Sequence, residues 1–315
     1  MKHNMNYIFN KIIIIGLGLI GGSLAMAIRQ KNLAKEILAY NRSKSPINFA
    51  IKNQIIDGEF NFDQDLNKDD LIIIATPLLA YEEIFQKIRE NNYQTLITDI
   101  GSIKLYPEEL YQKIFHDNNN FIPAHPIAGK ESSGIENAAA DLFFDKKLIL
   151  TKFCQNHKNI QKITNFWQEI GSEITILDAK THDKIFCLVS HLPQYISFKF
   201  KAKRQKNLPE ILQKHLRIEN SNSEIWQEIF ALNQENLDQY YQIFQKNYQK
   251  LNSNPSKREQ KLLEQFWQKL NLSKEYRDLA IQRLKIVMAF LQIKDLSDYQ
   301  EFAGSGFKDF TEILN

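Results

Sequence analysis

Gly16, Gly18 and Gly21 stand in the spacing G-x-G-x-x-G, directly after four consecutive isoleucines, Ile12 to Ile15. That order suits the phosphates of a dinucleotide. The first glycine permits a tight turn, the second lets a pyrophosphate approach the backbone, and the third lets the next helix pack close to the strand. This helix, expected near Gly22 to Gln30, aims its unbonded N–H groups and positive dipole end at the phosphates. Leu19 and Ile20 complete the loop. Four of the 11 glycines lie in this stretch, which argues against a packing accident. The rival reading is a signal peptide, because Ile12 to Ile28 is apolar, follows a lysine and ends near Ala25-Met26-Ala27. Cleavage there would remove the first strand of the nucleotide-binding pattern.

A second stretch offers a base. Phe121-Ile122-Pro123-Ala124 leads into His125-Pro126-Ile127-Ala128-Gly129-Lys130-Glu131-Ser132-Ser133-Gly134. A strand that delivers a histidine into such a loop suits proton transfer, since the ordinary pKa of histidine lies near neutrality.

Both stretches need a scaffold. Ile37 to Tyr40, Leu71 to Ala75 and Leu96 to Asp99 read as buried strands, and segments with helical period separate them. Alternation of this kind predicts an α/β, Rossmann-like, doubly wound sheet with ligands at the carboxyl ends of its strands. Thr76, Pro77, Asp99, Gly101 and Ser102 are therefore expected to line a cofactor crevice. After Tyr40 the usual carboxylate for a ribose is missing, and Asn41-Arg42-Ser43 stands there. Arg42 and Ser43 suit a 2′-phosphate, so the cofactor is expected to be NAD(P)+, leaning to NADP. Lys147 to Thr151 and Glu173 to Leu177 add two strands around a helix, Ile160 to Gly171.

From Ser172 to Ala303 there is no glycine, and apolar residues recur at helical spacing, as in Ile185, Leu188, Val189 and Leu192. A dinucleotide-binding domain over 1–178 is therefore expected to be followed by an all-helical substrate and dimerisation domain over 179–315, hinged near Asp178 to His182. A break between helices is expected at Asn252 to Ser256. Exposed apolar stripes on long helices predict a homodimer. Trp167, Trp226 and Trp267 read as core or interface anchors. The balance of 40 basic against 37 acidic side chains favours no nucleic-acid partner. No apolar run is built to span a bilayer. Cys154 and Cys187 form no metal or disulfide pattern and read as buried thiols in a cytoplasmic protein.

The motifs together resemble the prephenate/arogenate (cyclohexadienyl) dehydrogenase family. The carriers are GLGLIGGS, TDIGSIK (Thr98 to Lys104), HPIAGKESSG, HDKIFCLVSHLP (His182 to Pro193), the segment Arg217 to Trp226, and GSGFKDFT near the end. The resemblance implies oxidative decarboxylation of a cyclohexadienyl acid on the tyrosine pathway, without a metal. By position, it implies that His125 accepts the proton of the ring hydroxyl and that Ser102 holds that hydroxyl or orients His125. It implies further that His191 and Arg217 bind substrate, that Glu131 sits over the pocket entrance, and that His182 caps or orients its helix. One departure stands out. In the family the glycine-rich stretch directly precedes the arginine, whereas here Phe302 to Thr311 closes the chain, as though a segment had moved. The same parts are then expected to be rebuilt with different connections. Gln194 also replaces the family's second histidine after SHLP. The rival functions are another two-domain β-hydroxyacid-type dehydrogenase, which would rely on a lysine, and a dimeric binding protein that has lost turnover.

Overall fold

The structure, a computed structural model, describes residues 7–117, 119–129, 132–203 and 223–251. These fall into two compact units, residues 7–183 with 223–232, and residues 184–203 with 233–251.

In the first unit the buried runs become strands β1 (Phe9–Ile15), β2 (Ala34–Tyr40), β3 (Gly58–Glu59), β4 (Leu71–Ile74), β5 (Leu96–Asp99) and β6 (Phe121–Ile122). They form a parallel sheet in the order β3-β2-β1-β4-β5-β6. Helices α1 (Leu19–Lys31), α2 (Lys44–Lys52), α3 (Tyr81–Glu90), α4 (Leu105–Phe115) and α5 (His157–Ile170) cover it. Side chains on a strand alternate between faces, so a strand covered on both sides must be apolar at every position. Ile12 and Ile14 pack with Leu24, Ile28, Phe166 and Trp167 on one face. Ile13 and Ile15 pack with Ile84, Phe85, Leu110 and Tyr111 on the other. Each of these isoleucines is 0% exposed, and burying one stabilises the fold by about 2 kcal/mol. From β1 the chain steps first to β2 on one side and later to β4 on the other. The carboxyl ends of β1 and β4 therefore flank the crevice where such sheets take their ligands.

The strands expected at 147–151 and 173–177 do form, but in a sheet of their own. There β7 (Ala124–Pro126) runs antiparallel to β8 (Lys147–Thr151), which pairs in parallel with β9 (Glu173–Leu177). This small sheet fixes His125 opposite Ile149. The helix between its parallel strands, α5, is capped by Asn156, whose side chain accepts from the N–H groups of Lys158 and Asn159. Trp167 belongs to the core, and both cysteines are buried.

The chain continues as α6 (Ala179–Phe186), a π turn (Cys187–His191) and α7 (Leu192–Lys203), followed by α8 (Ser223–Leu232) and α9 (Gln234–Leu251). Ile229 and Trp226 of α8 pack on the second core face of the first unit. In the second unit α9 packs against the π turn and α7, burying Leu237 and Tyr240. The break expected at 252–256, Trp267 and the closing glycine-rich stretch lie outside the described residues.

Candidate active site

The glycine loop is shaped by two different demands. At Gly16 (φ +105°) a Cβ would lie 2.6 Å from the Ala75 carbonyl oxygen, and at Gly21 it would lie 1.9 Å from that of Gly16. The end of β4 at Gly16, and the packing of α1 on the loop backbone at Gly21, thus exclude any side chain at these positions. At Gly18 a Cβ would meet nothing within 4 Å, so this side of the loop is open to a ligand. Gly18 is the N-cap of α1 and gives it no side-chain cap, and the first turn holds no acidic residue. The N–H groups of that turn remain as donors for an anion. Asn41 Oδ1 accepts from the Leu17 N–H at 3.0 Å, while its Nδ2 donates to the Ser43 carbonyl at 3.0 Å, tying the loop to the turn after β2. Arg42 and Ser43 are exposed. Thr76 Oγ1, at the end of β4 beside Pro77, is buried with no partner among the described residues. An open glycine, an uncapped helix start and an orphaned hydroxyl are features that a dinucleotide would satisfy.

Asp99, expected to line the crevice, is placed elsewhere. It is 0% exposed, and its oxygens accept from Lys104 Nζ at 2.6 and 2.7 Å, Tyr81 Oη at 2.9 Å, and the N–H groups of Gly101 at 2.9 Å and Ala124 at 3.1 Å. Its partners leave it the anchor of a buried charge cluster. Lys104 Nζ also donates to the Ala124 carbonyl at 2.7 Å, so this ion pair fixes the residue before His125. Burial pushes the Lys104 ammonium below its ordinary value, against the pull of Asp99. Burial and the Asp99 charge push the Tyr81 hydroxyl well above its own.

His125 is half-buried, and its Nδ1 lies 2.8 Å from Nε2 of His182. His182 Nδ1 lies 2.7 Å from Oδ1 of Asp183. Asp183 in turn accepts from the backbone N–H groups of Lys104 and Leu105, each at 2.9 Å, at the start of α4. Burial, followed by the Lys104 charge, holds His182 well below the ordinary histidine value. Nearby on α4, burial raises Glu108 to about 7 while Thr151 donates a hydrogen bond to it. Ser102 lies in the loop between β5 and α4, half-buried, and its side chain has no hydrogen-bond partner among the described residues. The loop after His125 docks on α1. Ala139 N–H donates to Ser23 Oγ at 3.0 Å, and a Cβ at Gly22 would lie 2.7 Å from Ile135 Cγ1.

Asp183, Lys104 and Ser23 are groups of this network to which sequence reasoning gave no task, and His182 was read only as capping or orienting its helix. The capping task given to His182 falls to Asp178, whose Oδ1 accepts from the Thr181 N–H at 2.9 Å. The adjacent His-Asp pair ahead of the SHLP helix was the signal for the other role.

In the second unit His191 ends the π turn and is 1% exposed. Its Nδ1 lies 3.0 Å from Asn233 Nδ2, and Asn236 Nδ2 donates to Asn233 Oδ1 at 2.8 Å. That second bond orients the Asn233 amide with its NH2 toward the ring. His191 Nδ1 is therefore an acceptor, and the hydrogen of the neutral ring sits on Nε2. π turns of this kind often occur at functional positions. Gln194 is buried one turn on. Glu131 and Arg217 lie outside the described residues. No helix among the described residues is long and apolar enough to cross a membrane.

Known proteins resemble this chain in sequence and fold. The family described as "Prephenate dehydrogenase, nucleotide-binding domain" matches residues 24–176, and "Prephenate dehydrogenase, dimerization domain" matches residues 178–269. A prephenate dehydrogenase of Lactococcus lactis is 31% identical over 271 residues, covering 82% of this chain and 75% of that protein. One from Bacillus subtilis is 26% identical over 306 residues, covering 92% and 81%. The crystal structure of prephenate dehydrogenase from A. aeolicus, in complex with hydroxyphenyl propionate and NAD+, superposes with a TM-score of 0.70 at 26% identity, covering 88% of this chain and 98% of that one. A glycine loop open to a dinucleotide, a histidine delivered by a strand, a helical second unit and matches along most of the chain agree: the protein belongs to the prephenate dehydrogenase family.

Proposed function

We propose that the chain catalyses the oxidative decarboxylation of prephenate, or of its amino counterpart arogenate, in tyrosine biosynthesis. The observation that carries this reading is the joining, within one unit, of a dinucleotide-shaped glycine loop to the loop of a buttressed histidine, through Ser23 and Ala139. When bound, the nicotinamide dinucleotide accepts a hydride from the hydroxyl-bearing ring carbon. Gly16, Gly18, Leu19, Ile20 and Gly21 hold its phosphates, with Thr76, Pro77 and Gly101 along the strand ends. His125 takes the proton of the ring hydroxyl, and loss of the ring carboxylate as carbon dioxide leaves an aromatic ring. Ser102 holds the same hydroxyl, a role that its unbonded side chain leaves open to it. Carried over from the family, His191 and Arg217 bind the substrate and Glu131 guards the pocket entrance. The neutral Nε2–H of His191 suits a carbonyl or carboxylate oxygen.

For the cofactor we favour NADP. The turn after β2 lacks a carboxylate and exposes Arg42 and Ser43, which supports a 2′-phosphate, although the similar A. aeolicus protein was solved with NAD+. The dimerization-domain match supports a homodimer formed through the helical unit, and the cytoplasm is the location we favour for it. The test is formation of reduced nicotinamide by the purified protein, with prephenate and arogenate each crossed against NAD and NADP. Turnover is expected in a cell with NADP. Silence in all four cells, with the dinucleotide still binding, would overturn the proposal.

A further inference from the structure

Two buried side chains behind His125 have no task in the reaction as proposed. His182 is 0% exposed and Asp183 is 2% exposed. Both sit on the first turns of α6, far along the chain from the strand that carries His125, yet they end in contact with its ring. Burying two ionisable groups is costly unless their bonds are satisfied.

The direction of each bond follows from chemistry. Backbone N–H groups only donate, so Asp183, which takes those of Lys104 and Leu105, is an acceptor at both oxygens. The imidazole nitrogen 2.7 Å from Oδ1 is then an N–H, which places a hydrogen on His182 Nδ1. Burial and the neighbouring Lys104 ammonium keep His182 neutral, so its Nε2 carries a lone pair. The atom 2.8 Å from that lone pair, His125 Nδ1, must therefore be the donor. In neutral His125 the basic lone pair is left on Nε2.

We infer that Asp183 and His182 are positioning residues that hold His125 in its Nδ1–H tautomer and so present Nε2 as the base. The inference rests on the proposed reaction only in naming His125 as that base. During proton transfer the O–H bond of the substrate hydroxyl breaks, its electron pair stays on oxygen, and an N–H bond forms at Nε2. The imidazolium so formed donates through Nδ1 to His182, whose own N–H is anchored on the Asp183 carboxylate. Positive charge on His125 thus meets an aligned chain of acceptors, with no reorganisation needed when the charge appears. Opposing charges close to this chain come from β5 and α4, namely Asp99, Lys104 and Glu108. Lys104 is spent on Asp99 and the Ala124 carbonyl.

The test reads the ring directly and then its consequence. In full-length protein with 15N-labelled histidine, NMR is expected to show His125 with a protonated Nδ1 and a bare Nε2 above its titration. In His182→Gln the amide oxygen can still accept from Nδ1, so the tautomer should persist and kcat should stay within about tenfold. His182→Leu removes the acceptor, and it should mix the tautomers, lower kcat about 100-fold and shift the acid limb of the kcat/KM profile, with KM and dinucleotide binding unchanged. A wild-type His125 protonated at Nε2, or a folded His182→Leu enzyme with wild-type kcat and profile, would overturn the inference. Because the NMR reading needs no turnover, it separates failure of this relay from failure of the proposed reaction.

Discussion

His125 and His191 are both held at Nδ1, but by groups of opposite kind. His125 meets the acceptor nitrogen of a buried imidazole, backed by a carboxylate and a lysine–aspartate pair. His191 meets the NH2 of an amide, backed by a second amide. The first arrangement leaves a lone pair on Nε2 and the second leaves a hydrogen there. On the proposed roles the same side chain serves as a base in one unit and as a hydrogen-bond donor in the other, and the neighbours decide which. The scaffolds differ in kind as well, since charges in the first are replaced by neutral amides in the second.

The largest effect should come from breaking the charged scaffold. Lys104→Met leaves Asp99 buried without its cation and should destabilise the protein by about 3–5 kcal/mol in urea unfolding. Asn233→Ala, which breaks the neutral scaffold, should cost only about 1–2 kcal/mol. Equal losses would mean that the two scaffolds do not differ as described.

Next in size is a pH effect confined to the charged side. Glu108 has its folded pKa raised to about 7 from 4.5. Between those values the folded state keeps a proton that the unfolded state has lost, so stability falls as pH rises through the window, by up to about 3 kcal/mol. His182 acts oppositely. Its folded pKa is lowered, the unfolded chain binds the extra proton, and stability therefore rises with pH up to about 6.5. Glu108→Gln should remove the fall and leave a curve that rises and then levels, as read from urea midpoints between about pH 5 and 8. A curve that still falls toward pH 7 would assign the effect to another group.

A smaller effect sharpens the tautomer contrast. Asn233→Asp puts an acceptor where the amide donated, which should move the hydrogen of His191 from Nε2 to Nδ1. If the Nε2–H binds substrate, KM should rise about tenfold with kcat little changed. An unchanged KM would detach His191 from the substrate.

Much of this molecule was legible in the sequence. Ile12 to Ile15, with apolar demand at every position, could only be a strand covered on both faces, and β1 is that strand. The glycine spacing also announced the tight turn at Gly16 and the close helix packing at Gly21. The role of Asp99 was misread because a carboxylate at a strand end looks the same whether it turns to the crevice or to a lysine five residues on. The His125–His182 contact was illegible for another reason. It joins residues far apart in the chain through a small second sheet whose antiparallel strand has no periodic signature in three residues. Asn233 carried no signal at all, because an amide beside a histidine ring is visible only once two helices are packed.

The most direct test of the contrast is one pair of enzymes assayed side by side, His125→Gln and His191→Gln, with kcat and KM measured for each. Glutamine keeps a donor N–H but is no base. His125→Gln should therefore lose about 100-fold or more in kcat with KM nearly kept, and His191→Gln should keep kcat within about tenfold while KM rises modestly. Loss of kcat to the same extent in both, or a change confined to KM at His125, would contradict the assignment of base and donor.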